Sequence, residues 1–132
     1  MLRDLTERVI IASKGRFDRA IDLKARAEAG LPSIVTMTSE EFMEATTDVW
    51  EMPPENASRI GHPAPFPVAL PERLIHMNTH VGDLVLDPFM GSGTTGVAAK
   101  MLGRQFIGIE RYGEYVANAL ERIEAMGMPR AA

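Results

Sequence analysis

The sequence predicts an α/β fold in which an incomplete parallel sheet is flanked by helices. Residues 84–87 and 105–110 are short apolar segments that each end in an acid, the pattern of buried strands. Between them lie a glycine-rich turn at 91–93 and a helix that begins at residue 94 or 95 and runs to about residue 102. An amphipathic helix follows over 112–126, with an apolar side that includes Leu120. A strand–helix–strand order requires a parallel, right-handed crossover.

Upstream of this unit, the patterns predict one more strand and two helices. The apolar, β-branched run at 7–13 predicts a buried strand. Thr38 and Glu41 have the spacing of a capping box, which predicts a short helix to about residue 45. Residues 69–79 predict a helix with Leu70, Leu74 and Met77 on one face.

Two other upstream segments are less regular. The charged segment 17–29 permits either a helix or an ordered loop, ended by the Gly-Leu-Pro sequence at 30–32. The segment 53–67 contains five prolines, which predict extended chain over a surface.

Composition favours one soluble, cytoplasmic domain. The chain has 132 residues, 45% of them apolar, and no cysteine, which excludes disulfides and thiolate metal sites. No window approaches the roughly 18 unbroken apolar residues of a membrane span. The net charge of -4 argues against a free-standing DNA-binding domain. Residues 14–26 carry five basic and two acidic side chains, for which a solvated surface is a more common explanation than a DNA contact.

The predicted strands place two acids at one edge of the sheet. Asp87 and Glu110 end the two predicted strands, and the 91–93 turn lies beside them. Ligands of such units bind beyond the carboxyl ends of the strands, so these residues lie where a ligand is expected. Small residues let a backbone approach a ligand closely, and the start of the following helix favours an anion. Glu110 can accept hydrogen bonds from two ribose hydroxyls. These features predict a nucleoside-type ligand.

Electrostatics distinguish between two such ligands. Residues 91–96 match the dinucleotide pattern G-x-G-x-x-G, which by itself is weak. A carboxylate at Asp87 would repel a pyrophosphate, whereas it would attract an ammonium or sulfonium centre. S-adenosyl-L-methionine carries both cations and one carboxylate, so it is favoured over NAD.

Residues 87–95, Asp-Pro-Phe-Met-Gly-Ser-Gly-Thr-Thr, resemble the cofactor loop of β-class amino DNA methyltransferases, which methylate adenine N6 or cytosine N4. Residues 61–75 are similar to another cofactor segment of that family, and 103–110 to its second strand, in the β-class order. The resemblance implies a partial Rossmann-like S-adenosylmethionine-dependent methyltransferase fold. It further implies a site-specific DNA methyltransferase, with adenine N6 as the favoured acceptor and double-stranded DNA as the substrate of the complete enzyme.

The resemblance also implies roles for individual residues. The loop would wrap the methionine end of the cofactor, Glu110 would hold the ribose, and the 65–67 segment would close the pocket from the opposite side. For Phe66 and Phe89, ordinary core packing is an equally good explanation. The expected cofactor-binding residues are Pro65, Phe66, Pro67, Asp87, Pro88, Phe89, Gly91, Ser92, Gly93, Thr94, Thr95 and Glu110.

The sequence contains no residues matching the family's catalytic tetrapeptide, Asp/Asn-Pro-Pro-Tyr/Phe. Its one Pro-Pro pair, at 53–54, is preceded by Met52 and followed by Glu55, which indicates a linker. We therefore expect no catalytic residue here, and a partner chain or a missing N-terminal half that supplies the motif. Truncation is slightly favoured over a split enzyme, and a remnant that only binds cofactor is the alternative. Without the missing half, the chain should expose sheet edges and apolar faces.

The expected organisation is a partial target-recognition or connecting segment with one strand at 1–60, an S-adenosylmethionine-binding subdomain at 61–126 and a fraying tail at 127–132. His76 and His80 lie one helical turn apart, a spacing that zinc could use. Two polar residues at a helix end are the more common reason for such a pair, so we expect no metal.

Overall fold

The computed structural model describes residues 7–14, 23–55 and 65–126. The predicted tail at 127–132, residues 61–64 and the basic side chains of Arg16 and Arg19 lie outside these ranges. The elements in chain order are α1 (Leu23–Glu28), α2 (Ser39–Ala45), α3 (Ala69–Asn78), β1 (Leu84–Asp87), α4 (Thr94–Met101), β2 (Gln105–Gly108) and α5 (Gly113–Ala125).

The predicted parallel pair is confirmed. β1 and β2 pair in parallel with Leu84 opposite Gln105 and Asp87 opposite Gly108. The helix α4 connects them, as the sequence order requires. β2 ends two residues earlier than predicted, so Glu110 follows the strand rather than ending it.

One face of this sheet carries the core. Ile75 of α3 clusters with Ala98 and Ala99 of α4, and Val85 and Phe106 pack against them from the strands. The core is small in side-chain volume, since α4 contributes mainly alanines. Because these side chains are small, the backbones of the elements packed against α4 can lie close to it.

Glycines permit this close approach. Gly93, the N-cap of α4, has φ 77°, and a Cβ there would lie 2.7 Å from the Cβ of Ala119. A Cβ on Gly96 would collide with the side chains of Phe106 and Ile123. Each glycine thus fits where no side chain could, and α5 and β2 both pack directly on the first turns of α4.

Two predicted helix faces need correction. In α3 the buried residues are Pro71, Ile75 and Met77, whereas Leu70 and Leu74 are only half-buried. In α5 Ala119 is buried but Leu120 is 54% exposed. α5 approaches α4 through the side that carries Ala119, and Leu120 is one residue, about 100°, further round the helix.

The predicted strand at 7–13 is wrong. These residues have no strand structure, and Ile10 is 89% exposed. The sheet among the described residues has two strands, and neither pairs with this segment. An apolar run forms a buried strand only where a neighbouring strand and a core accept it, and local sequence does not report on either.

The charged segment contains a helix, α1, that ends before Gly30 with φ 69°. Arg26 in α1 is buried: its Nε donates to the Pro32 carbonyl (2.7 Å) and its Nη2 to Asp83 Oδ1 (3.1 Å). This buried ion pair attaches α1 to the start of β1. The charge of Arg26 therefore does not contribute to a basic surface formed by residues 14–26.

The predicted capping box of α2 is confirmed. The Glu41 N–H donates to Thr38 Oγ1 (3.2 Å), and Glu41 Oε2 accepts from the Thr38 N–H (2.7 Å). Beyond α2, Trp50 Nε1 donates to the Ala45 carbonyl (3.1 Å), and the Arg73 guanidinium lies 5.1 Å from the Trp50 ring centroid. These contacts hold α2 against α3.

The expected apolar face is confirmed. Leu84, Leu86, Ile107 and Ile109 follow the side of the sheet opposite the helices, and all four are about half exposed or more. Across the three described ranges, no helix combines the length and apolar character needed to cross a membrane.

The close approach at Gly93 gives a stability prediction. Gly93→Ala should lower the free energy of unfolding by about 2–4 kcal/mol, because left-handed backbone strain adds to a clash with Ala119. Gly30→Ala is the matched control: its φ is similarly positive, but a Cβ there has no atom within 4 Å. It should cost only about 1 kcal/mol in a urea titration. Equal losses in the two variants would contradict the packing account.

The capping box gives a pH prediction. Hydrogen bonds from Thr38 lower the pKa of Glu41 below its ordinary value of 4.5. Its contribution to stability is therefore complete above pH 4.5 and is lost as the pH falls through the lower value in the folded protein. The difference in unfolding free energy between the wild type and Glu41→Ala should narrow on acidification. Glu40→Ala, which removes a carboxylate from the same turn but no capping bond, should show less narrowing. If the difference in unfolding free energy between the wild type and Glu41→Ala stays constant with pH, the ionised Glu41 carboxylate does not stabilise the cap.

Candidate functional site

The carboxylates at the two strand ends hold the same loop, residues 88–95. Asp87 Oδ1 accepts from the Phe89 N–H (3.0 Å), and Oδ2 accepts from the Thr95 hydroxyl (2.7 Å). Glu110 Oε2 accepts from the Gly91 N–H (3.0 Å). The two acids that the sequence predicted to share an edge are therefore brought together on one glycine turn.

The loop also continues the sheet. The Ile109 N–H donates to the Asp87 carbonyl (2.9 Å), and the Met90 N–H donates to the Ile109 carbonyl (3.0 Å). Gly91 and Gly93 have φ angles of 51° and 77°, so the chain reverses tightly before α4 begins. The first-turn amides of α4 thus start directly behind the two strand ends, where an anion is favoured.

Asp87 retains capacity for a ligand. It is half-buried, and each of its oxygens accepts one hydrogen bond from the described part of the chain. A carboxylate has about four acceptor positions, so each oxygen can accept one more bond. An ammonium group supplies donors and the complementary charge for those positions. Glu110 is fixed similarly, since its Oε1 also accepts from the Tyr112 N–H (2.9 Å).

Three side chains of the loop face the protein. Ser92 and Thr94 are only 4% and 3% exposed, and their hydroxyls contact Arg122 of α5. The Thr95 hydroxyl donates to Asp87. Ser92 and Thr94 can therefore offer a ligand little beyond their backbone.

Phe89 has the opposite environment. Its side chain is 88% exposed, so the core-packing explanation is wrong for this residue. Pro88 is exposed beside it, and Phe66 is partly exposed. An exposed ring two residues after Asp87 provides a flat apolar surface for a ligand to pack on.

Arg122 is the residue that the sequence analysis missed. Its Nη1 donates to the Ser92 carbonyl (2.6 Å), Ser92 Oγ (2.9 Å) and Thr94 Oγ1 (3.3 Å). Burial lowers the pKa of Arg122, and the charge of Glu55 opposes that shift. The guanidinium stays protonated at any physiological pH. In the sequence, Arg122 is one of the polar residues of an amphipathic helix. Only its spacing, three residues after Ala119, indicates that it lies on the side of α5 that faces the loop.

The segment Pro65, Phe66 and Pro67 lies just before α3. The Pro67 carbonyl accepts from the Leu70 N–H (3.1 Å), and Val68 packs against the core cluster on α4. Among the described residues, none of these three forms a hydrogen bond with the 88–95 loop. Their expected role in closing the pocket therefore stays a prediction.

A separate groove of about 430 Å³ lies between α1 and α2, lined in part by Leu23, Phe42 and His80. It shares no residue with the 88–95 loop. The site at the strand ends is identified by the chemistry of its side chains. Among the described residues, the groove is lined mostly by apolar side chains and by no Asp, Glu, Lys or Arg.

The two histidines contact different partners. His76 Nε2 lies 2.7 Å from Thr36 Oγ1, and His80 is buried with its Nδ1 3.4 Å from Asp83 Oδ2. Within the described ranges, no three metal-ligating side chains converge.

Comparisons with known proteins identify the relatives of this chain. The sequence model of the N6_N4_Mtase family, described as DNA methylase, matches residues 2–121. The Type II methyltransferase M2.DpnII of Streptococcus pneumoniae is 56% identical over 64 residues, which are 48% of this chain and 24% of that protein. The Type II methyltransferase M.BglI of Bacillus subtilis is 41% identical over 95 residues, 71% of this chain and 27% of that protein. The chain thus spans about a quarter of the length of these curated relatives.

Solved structures are similar as well. A protein described as a DNA modification methylase from Thermus thermophilus, complexed with S-adenosyl-L-methionine, superposes with a TM-score of 0.60 and 33% identity, covering 83% of this chain and 42% of that one. The M1.HpyAVI–SAM complex superposes with a TM-score of 0.52 and 41% identity over 59% of this chain and 41% of that one.

Proposed function

The chain belongs to the N6/N4 DNA methylase family, and from that membership we propose that it is the S-adenosylmethionine-binding portion of a site-specific DNA methyltransferase. The observation that carries the proposal is the pair of carboxylates, Asp87 and Glu110, held on one glycine turn at the strand ends. Two negative charges beside a helix N-terminus suit a ligand with two cations and one carboxylate.

We assign a partner in this arrangement to the amino group, the carboxylate and the ribose of the cofactor. Asp87, whose oxygens each accept one hydrogen bond from the described residues, would bind the amino group and lie close to the sulfonium. The first amides of α4 would bind the carboxylate, and the exposed ring of Phe89 would pack on the ligand. Glu110 would accept from the ribose hydroxyls, while Pro65, Phe66 and Pro67 would cover the opposite side. When bound, S-adenosylmethionine supplies an activated methyl group.

We further propose three separate roles for residues of the loop. Ser92, Gly93 and Thr94 would contact the cofactor through backbone atoms, because the side chains of Ser92 and Thr94 face α5. Thr95 would orient Asp87 through its hydroxyl. Pro88 would set the direction in which Phe89 projects, since proline fixes the backbone φ at its position.

Methyl transfer needs a second element that the 132 residues do not contain. A base whose amino group is to be methylated must be flipped out of the duplex and held in a pocket. The Pro53-Pro54 pair, with Met52 and Glu55 around it, has neither the acid or amide nor the aromatic side chain for this task. We infer that another segment, in the same polypeptide or in a partner chain, supplies it, and that double-stranded DNA is the substrate of the complete enzyme. Adenine N6 is the first acceptor to test and cytosine N4 the second.

Binding of the cofactor tests the proposal. The purified chain should release or absorb heat when titrated with S-adenosylmethionine in a calorimeter, and NAD should give no signal. Asp87→Asn and Phe89→Ala should each weaken binding by about tenfold, since a charge pair and a stacking contact of that size are lost. Phe89→Ala should leave the unfolding free energy unchanged, because the ring is exposed. Phe42→Ala, an exposed aromatic on α2, is the control that should retain full affinity.

A flat trace from folded wild-type chain would contradict the proposal. Binding without methyl transfer in the presence of any polypeptide that carries the tetrapeptide would favour the alternative, a remnant that binds cofactor only. Chromatography of nucleosides from treated DNA then separates N6-methyladenine from N4-methylcytosine.

A further inference from the structure

We propose that Arg122 is a positioning residue for the cofactor loop: it clamps the loop from the side of α5 while the strand-end carboxylates hold it from the other side. This inference rests on the proposed function, because it concerns the loop that would bind S-adenosylmethionine. Arg122 would not touch the ligand itself; it acts through Ser92 and Thr94.

The clamp has a specific geometry. One guanidinium nitrogen, Nη1, donates to three oxygens of two nearby residues: the Ser92 carbonyl, the Ser92 hydroxyl and the Thr94 hydroxyl. Hydrogen bonds from a charged donor are about twice as strong as neutral ones. Ser92 and Thr94 are nearly fully buried, so water cannot replace the donor without reaching into the packed α4–α5 contact.

The loop needs such a restraint because of its own sequence. Ser92 lies between Gly91 and Gly93, both with positive φ, and glycine is the residue that gains the most freedom when it is released. On the opposite side, Glu110 holds the Gly91 amide, Asp87 holds Phe89 and Thr95, and the Ile109 carbonyl accepts from the Met90 N–H. Without Arg122, the stretch from Ser92 to Thr94 would have no side-chain hydrogen bond across to another element in the described residues.

The position of α5 makes Arg122 suitable for this role. Ala119 and Ile123 lie where Cβ atoms on Gly93 and Gly96 would be, so α5 touches the loop directly. Arg122 lies on the same side of α5, three residues after Ala119 and one before Ile123. Packing and hydrogen bonding therefore act at the same point, and a shift of α5 would be transmitted to the loop backbone.

Hydrogen exchange and calorimetry on the full chain test the proposal together. Arg122→Met keeps the length of the side chain but removes the donor, and the amides of residues 91–94 should exchange about tenfold faster or more. Affinity for S-adenosylmethionine should fall by a similar factor. Arg122→Lys keeps the charge without the fork of donors and should restore part of both properties. Lys100→Met, which removes a cation from α4, is the matched control and should change neither.

The pattern of exchange separates positioning from general stability. Faster exchange confined to the 91–94 amides, with α3 and β1 unaffected and partial rescue by lysine, supports the proposal. Unchanged loop exchange in Arg122→Met, or acceleration spread equally over α3 and β1, overturns it. If the wild-type chain does not bind S-adenosylmethionine, the proposed function fails, whereas the exchange comparison still decides the role of Arg122.

Discussion

Two carboxylates at neighbouring strand ends share one loop, and the rest of the site depends on that arrangement. The parallel register places Asp87 opposite Gly108, which brings Glu110, two residues later, beside the turn that follows Asp87. Asp87 then bonds to Phe89 and Thr95, and Glu110 to Gly91. The carboxylates that fix the loop also place two negative charges at the sheet edge, where the proposed ligand would bind.

The glycines of the loop have a different meaning from the one their spacing first suggests. Gly93 and Gly96 are needed because α5 and β2 pack against them, and a Cβ at either position would collide with Ala119 or Phe106. A dinucleotide-binding unit has the same packing requirement between its helix and strand. The glycine spacing therefore reflects the packing of the helices and strands, whereas the ligand preference proposed above depends on Asp87 and Glu110. This is why the match to G-x-G-x-x-G did not by itself distinguish NAD from S-adenosylmethionine.

Local signals predicted most of the fold but little of its long-range chemistry. The capping box of α2, the two strands and the helix α4 were recoverable because short patterns encode them. The burial of Arg26 and the loop contacts of Arg122 were not, since their partners lie 57 residues away at Asp83 and 30 residues away at Ser92. The apolar run at 7–13 failed for the same reason: its pattern cannot say whether a neighbouring strand is present. The sequence predicted the two carboxylates and the glycine turn at one sheet edge, but not the contacts of Arg122 with that turn.

The exposed apolar face of the sheet and the exposed Phe89 agree with a chain that spans about a quarter of its curated relatives' length.

The most direct test of the central claim is a crystal structure of the chain with S-adenosylhomocysteine. The account predicts the ligand across the strand ends, its amino group within hydrogen-bond distance of Asp87 and its ribose hydroxyls on Glu110. A ligand bound elsewhere, or carboxylates turned away from it, would contradict the account.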